Sequence, residues 1–309
     1  MPEPLPPATL TDQGRGTRRP LDEAALAYIV RRLNRADAPP WLHGEVARRM
    51  AERLAAIRLP PQRILDWGAF LGASHAVLTR AYPKAQRFAL EPDAARRARA
   101  AAERARPWWS PQRWLGTRPV VIDGDEPAAG GADLLWANMH LHAVADPQAL
   151  MRRWHRALAV DGFLMFSSLG PGSLLPLRDL YAAASWPPPF APFVDMHDLG
   201  DMLVAAGFAG PVMDQETITL TWASADALLA ELRGLGGNAD PRRSAGLRTP
   251  AWRRQLLAAL AARCDASGRV SLAFELVYGH AFRPPAQARV AAETAVPLDD
   301  MRAMMRRRR

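Results

Sequence analysis

From residue 59 the chain alternates between two hydrophobic periods. Short apolar runs read as strands: RILDW (63–67), RFALE (87–91), RPVVID (118–123), ADLLWANM (132–139) and FLMFSSL (163–169). Between them lie SHAVLTRAY, the Ala/Arg-rich DAARRARAAAERAR, and PQALMRRWHRALAVDG over 147–162. Their apolar positions recur three and four residues apart, which gathers them on one face of a helix. Two later runs, QETITLTW (215–222) and VSLAFELVYGHAF (270–282), bring the strands to seven. Strands alternating with helices predict an α/β fold: a doubly wound, mostly parallel seven-stranded sheet covered on both faces. Ligands of such sheets bind beyond the carboxyl ends of the strands, so the residues just after each strand matter most.

The flanks and the second half break this rhythm. Residues 1–20 are rich in Pro and Arg, the composition of a disordered tail. Residues 21–58 carry helical spacing in two pieces, broken at Pro39-Pro40, ahead of a sheet domain expected over 59–283. Residues 284–309 read as a basic tail. Two stretches are expected as insertions over the ligand edge. The first, about 171–196, runs from GPGS through the helical LLPLRDLYAAA to SWPPPFAPF, too proline-rich for a helix or a central strand. The second, about 224–266, is helical in two pieces separated by GLGGNADPRRSAG.

Composition narrows the class. Of 309 residues, 49% are hydrophobic and 23% charged, the balance of a globular protein. A single cysteine, Cys264, excludes an internal disulfide framework and a thiolate-cluster metal site, and fits a cytoplasmic location. No long apolar run and no apolar leader is present, so neither a membrane span nor secretion is expected. The net charge of +9 comes from arginine, partly at Arg15, Arg18, Arg19 and the closing RRRR of 306–309. Arginine-rich codon usage and solvated tails account for most of it. The functional reading is an acidic partner; without a nucleic-acid-binding motif, an acidic protein is expected rather than nucleic acid.

Candidate chemistry begins after the first strand. Asp66 closes it, Gly68 follows, and Gly72 precedes the next helix, an acidic-plus-glycine turn. Glu91 ends the next strand, where an acid commonly bonds a ribose hydroxyl of an adenosine cofactor. A carboxylate also caps a helix N-terminus well, and spacing alone does not separate the two roles. His140-Leu-His142 has no accompanying Cys or carboxylate cluster, so no metal site is expected. No nucleophile elbow, P-loop or zincin motif occurs.

These residues, with DLLWANMHLHAVADPQALMRRWHRALAVDGFLMFSSLGPGSL, PFVDMHDLGDMLVAAGFAGPVMDQETITLTW, ALLAELRGLGGNA and FELVYGHA, resemble the class I S-adenosylmethionine-dependent methyltransferases. Within them the chain is most similar to the malonyl-acyl-carrier-protein O-methyltransferases of biotin synthesis, over roughly residues 21–283. The resemblance implies S-adenosylmethionine as cofactor and an acyl carrier protein bearing a malonyl group as partner. It implies cofactor contacts at Asp66, Gly68, Gly72, Glu91, Asp125 (with Asp123 as an alternative register) and Asn138. Arg178 and His197 match substrate-side positions, although docking the insertion onto the sheet is the role expected first of the DMHD segment that holds His197 and Asp198. No catalytic residue is implied, since a carboxylate acceptor is already ionised at neutral pH and needs no general base.

Departures from the family pattern fall mostly in the cofactor loop. Phe70 replaces its central glycine, Ala69 and Leu71 differ, Trp67 is bulkier than usual, and His140 stands where a small apolar residue is normal. If position 70 needs positive φ, the phenylalanine costs about 1–2 kcal/mol of strain. Three readings follow: the methyltransferase, a non-catalytic protein on the same fold that has lost cofactor binding, and a related enzyme acting on another acceptor.

Overall fold

The computed structural model describes residues 18–91, 93–98, 120–122 and 129–286. Seven strands form one sheet: β1 (Arg63–Trp67), β2 (Gln86–Leu90), β3 (Val120–Ile122), β4 (Ala132–Ala137), β5 (Leu158–Leu169), β6 (Ala209–Trp222) and β7 (Val270–Phe282). Their order is β3-β2-β1-β4-β5-β7-β6, and β7 runs antiparallel to both of its neighbours. The expected doubly wound, mostly parallel sheet is borne out. Chain order reverses between β1 and β4, which places a binding crevice at their carboxyl ends.

Alternation along β1 and β4 divides the interior into two cores, because successive strand side chains point to opposite faces. Ile64, Leu134 and Trp136 meet α2 (Trp41–Arg53) through Leu42, Val46 and Met50, and α3 (His75–Ala81) through Leu78. Leu65, Trp67 and Leu135 meet α4 (Pro147–Ala157) through Met151 and Trp154, and α6 (Met196–Ala205) through Leu199 and Leu203. Trp154 is fully buried; truncating such a residue to alanine costs about 3–5 kcal/mol.

Capping explains several boundaries. Asp22 starts α1 (Glu23–Asn34) by accepting the Ala25 N–H at 2.9 Å, and Asp146 accepts the Ala149 N–H at 2.8 Å with Pro147 in the first turn of α4. Two boundaries correct the sequence expectation. The helix expected to 162 ends at Ala157, and β5 begins at Leu158. The turn residues inside this strand make a bulge: Asp161 has φ +63, and a Cβ at Gly162 would lie 2.9 Å from the Ala159 carbonyl. Likewise β6 begins at Ala209 rather than 215, through Gly210-Pro211, with a register shift before Val212. An edge strand tolerates a proline that a central one does not.

The two stretches expected as insertions carry α5 (Leu175–Ala183), α7 (Ala225–Leu235) and α8 (Pro250–Ala261). The expected tail 1–20 needs one correction. Arg19 is buried, 8% exposed, and its backbone N–H donates to Ala145 at 2.7 Å. The expectations for Asp125, Asp123, most of the 93–106 helix and residues 287–309 lie outside the described residues. No helix among the described residues is long and apolar enough to cross a membrane.

Candidate cofactor and substrate clefts

The loop between β1 and α3 turns on its glycines. Gly68 takes φ +64, and its N–H donates to Leu90 at 2.8 Å, stitching the loop to β2. Gly72 donates to the Gly68 carbonyl at 2.8 Å, and a Cβ on it would sit 3.2 Å from that same oxygen. Both positions therefore favour glycine, one for its conformation and one for space. Phe70 is absent from the residues with left-handed φ; in this loop Ala73 takes that conformation, at φ 51. The strain expected at position 70 is not incurred. The Phe70 ring lies under the Arg96 guanidinium, whose central carbon is 3.1 Å from the ring centroid. Trp67 packs edge-on against Trp154, ring centroids 6.1 Å apart.

Two buried carboxyl groups support this loop. Asp66 accepts the Ser74 hydroxyl at 2.7 and 2.8 Å on its two oxygens, tying the end of β1 to the start of α3. Burial pushes its carboxyl up to about 7; the Ser74 bond and the Arg87 charge oppose the shift, and the nearby Glu91 charge adds to it. Glu91 accepts the Phe70 N–H at 2.7 Å through Oε1. Burial raises it to about 7 as well, against the Phe70 bond and Arg96. Asn138 donates from Nδ2 to the carbonyls of His43 and Gly72, both at 2.7 Å, and its Oδ1 accepts the Ser167 hydroxyl at 2.6 Å. His43 in turn donates from Nδ1 to the Leu71 carbonyl at 2.7 Å. The first turn of α2 and the end of β4 thus hold the glycine loop from two sides.

Two clefts open at this end of the sheet. One, of about 380 Å³, is lined by Trp67, Leu90, His140, Val144, Asp146 and Arg153, beside the glycine loop. The other, of about 310 Å³, is lined by Arg178, Tyr181, Trp186, Pro189, Phe190 and Arg242 from the insertions. Arg19 lies between their walls. Its Nη1 donates to the carbonyls of His142 (2.6 Å) and Val144 (3.3 Å), and its Nη2 to that of Pro192 (2.6 Å). In the second cleft the Arg178 guanidinium lies 5.0 Å from the Phe190 ring centroid, and its Nη2 is buried without a hydrogen-bond partner.

The sequence-derived residues therefore separate into groups. Asp66, Gly68, Gly72, Glu91 and Asn138 converge on one loop; none of the five lines the open cleft, which Trp67, Leu90 and His140 border beside them, and Asp66 and Asn138 brace the loop through Ser74 and the Gly72 carbonyl. Arg178 belongs to the second cleft. His197 stands apart: its side chain is 83% exposed, and both its ring Nδ1 and its backbone N–H bond the helix cap Asp195 at 2.8 Å. Sequence reasoning missed Arg19, Ser74 and Ser167. Ser74 sits at a helix start, where it reads as a cap, and only the fold turns its hydroxyl to Asp66.

These residues fit S-adenosylmethionine. Gly68 takes the left-handed turn beside the cleft, the Phe70 ring is drawn off to Arg96, and a buried acid stands at the end of β2. A cleft of this size falls in the range of small-molecule sites.

The comparisons agree. Residues 41–210 match a family model described as a methyltransferase domain. The chain is 38% identical over 288 residues to a malonyl-[acyl-carrier protein] O-methyltransferase of Laribacter hongkongensis, covering 91% of this chain and 93% of that protein. It is 37% identical over 254 residues to one from Gallionella capsiferriformans, covering 80% and 86%. A crystal structure of a putative methyltransferase from Bacillus halodurans superposes with TM-score 0.52 at 12% identity, over 76% of this chain and 98% of that one, a likeness of fold.

Proposed function

The chain belongs to the malonyl-[acyl-carrier protein] O-methyltransferases, S-adenosylmethionine-dependent enzymes, and from that membership we propose how its two clefts divide the work. The cleft beside Gly68 takes the cofactor, and the insertion cleft takes the malonyl group on its carrier-protein thioester, a step of biotin synthesis. The observation that carries the division is Arg178: a cation with a buried, unpartnered Nη2 among aromatic and proline side chains. A carboxylate supplies the missing acceptor and the opposite charge.

The bound cofactor supplies an electrophilic methyl group on a sulfonium centre. Glu91, held by the Phe70 N–H through Oε1, presents Oε2 to a ribose hydroxyl. Gly68 and Gly72 allow close approach of the main chain, while Asp66 and Asn138 keep the loop in shape. Asp125 would stand by the adenine. Arg178 orients the acceptor carboxylate, which is ionised at neutral pH, so no side chain has to remove a proton. Rate comes from alignment and from excluding water while opposite charges neutralise. A grip by Arg178 that were too tight would stabilise the anion before transfer, so its role is binding. Arg242, 70% exposed in its side chain, lines the same cleft but is paired with Asp240 at 3.0 Å, which leaves Arg178 as the carboxylate's partner there.

Arg178→Ala tests the division. It is expected to raise the KM for malonyl carrier protein about tenfold or more, leave the affinity for S-adenosylhomocysteine unchanged, and be partly rescued by Arg178→Lys. An unchanged KM contradicts the assignment.

A further inference from the structure

His140 is the departure from the family pattern that lies outside the cofactor loop, and its bond to Trp67 fixes its tautomer. The indole Nε1 of Trp67 donates to its Nε2 at 3.3 Å, with the two rings edge-on at a centroid distance of 6.5 Å. An indole nitrogen only donates, so Nε2 must be the unprotonated nitrogen and the ring proton sits on Nδ1. Burial, with help from the charges of His43 and Arg153, lowers the ring to about 4 and keeps it neutral. Trp67 is itself held between Trp154 and the Arg153 guanidinium, which lies 5.2 Å from its ring centroid. The tether is therefore rigid.

The remaining donor, Nδ1–H, lies beside Gly68 at the edge of the cleft. A Cβ built on Gly68 would lie 3.3 Å from Nδ1. The ring thus occupies the side of the loop that only a glycine leaves open. Nδ1 has no hydrogen-bond partner among the described residues, and the ring borders the 380 Å³ cleft with Trp67 and Leu90. A neutral N–H donor, fixed by a neighbour and lacking an acceptor, borders the cleft assigned to the cofactor.

We propose that His140 is a cofactor contact particular to this chain, donating from Nδ1 to an oxygen or nitrogen acceptor of the adenosyl group, with Trp67 as the positioning residue that sets its tautomer. This rests on the cofactor assignment above. The Phe70 N–H is already taken by Glu91, so His140 adds a free donor next to the loop. Because the ring is neutral at physiological pH, the contact is a hydrogen bond and adds no repulsion toward a sulfonium cation.

Calorimetric titration with S-adenosylhomocysteine, which needs no turnover, tests the idea on the full-length protein. The set comprises wild type, His140→Ala, His140→Asn and Trp67→Phe, each checked for folding by thermal melt. Wild type is expected to bind. His140→Ala should weaken binding about tenfold, the loss of one buried hydrogen bond. His140→Asn, which restores an N–H donor at similar reach, should return to within about threefold of wild type, and Trp67→Phe should fall between. If wild type binds and His140→Ala binds equally or more tightly, the ring is mere filling and the proposal is overturned. If His140→Asn is as weak as the alanine variant, it is overturned as well. Failure of wild type itself to bind overturns this proposal and the cofactor assignment together.

Discussion

Asp66 and Glu91 show how much of this site's chemistry lies in burial. Both carboxyls sit at about 7, raised chiefly by desolvation. Their folded values lie above the ordinary carboxylate range, so between about pH 4 and 7 the native state holds more protons than the unfolded chain. These groups therefore subtract stability as pH rises through that window. Cofactor binding answers in the opposite direction. A ribose hydroxyl bonds an ionised carboxylate more strongly than a neutral carboxyl, so binding favours deprotonated Glu91. S-adenosylhomocysteine affinity is expected to rise about tenfold from pH 6 to pH 8, with proton release visible as buffer-dependent heat. Glu91→Gln should flatten the profile; a flat profile for wild type contradicts this role for Glu91. Glu91 was legible from its place at a strand end, but its bond to the Phe70 N–H was not, because the acid at the end of β2 meets the loop only in the folded sheet.

At the scale of the element, the glycine loop retains its geometry despite Phe70. The left-handed φ values fall at Gly68 and Ala73, the tight approach falls at Gly72, and the phenylalanine ring leaves the loop for Arg96. Phe70→Gly is accordingly expected to change S-adenosylhomocysteine affinity by less than about threefold, since no strain is there to relieve. A gain of tenfold or more on titration would show that the ring obstructs the site. The sequence announced the elements through their periods, and most helix starts through Asp, Ser, Thr and Pro at the caps. It misled where glycine and proline sit inside strands. Asp161-Gly162 and Gly210-Pro211 read as turns, yet the first is a bulge within β5 and the second the irregular start of an edge strand. Local turn chemistry cannot reveal a strand whose partner lies far along the chain.

At the scale of the molecule, one residue from the segment expected to be tail joins the two clefts. The Arg19 guanidinium bridges the loop after β4 and the proline-rich insertion, and Asp22 ties in the second insertion by donating its N–H to the Ala239 carbonyl at 2.8 Å and pairing with Arg243 at 2.7 Å. Nothing in the order RRPLDE signals this, because the acceptors are backbone carbonyls more than a hundred residues away. The fold class and the glycine loop proposed for the cofactor were within reach of the sequence; the order of the strands was not among its readings. The proposed division into a cofactor cleft and a carboxylate cleft was not legible either, since it depends on where the segments around 171–196 and 224–266 fold back. That division has a purpose only if the glycine loop still accepts its ligand. Titration of the wild-type protein with S-adenosylmethionine at pH 8 tests this most directly. One equivalent bound with roughly micromolar affinity is predicted, and a folded protein that takes up none at about 1 mM cofactor would contradict the account.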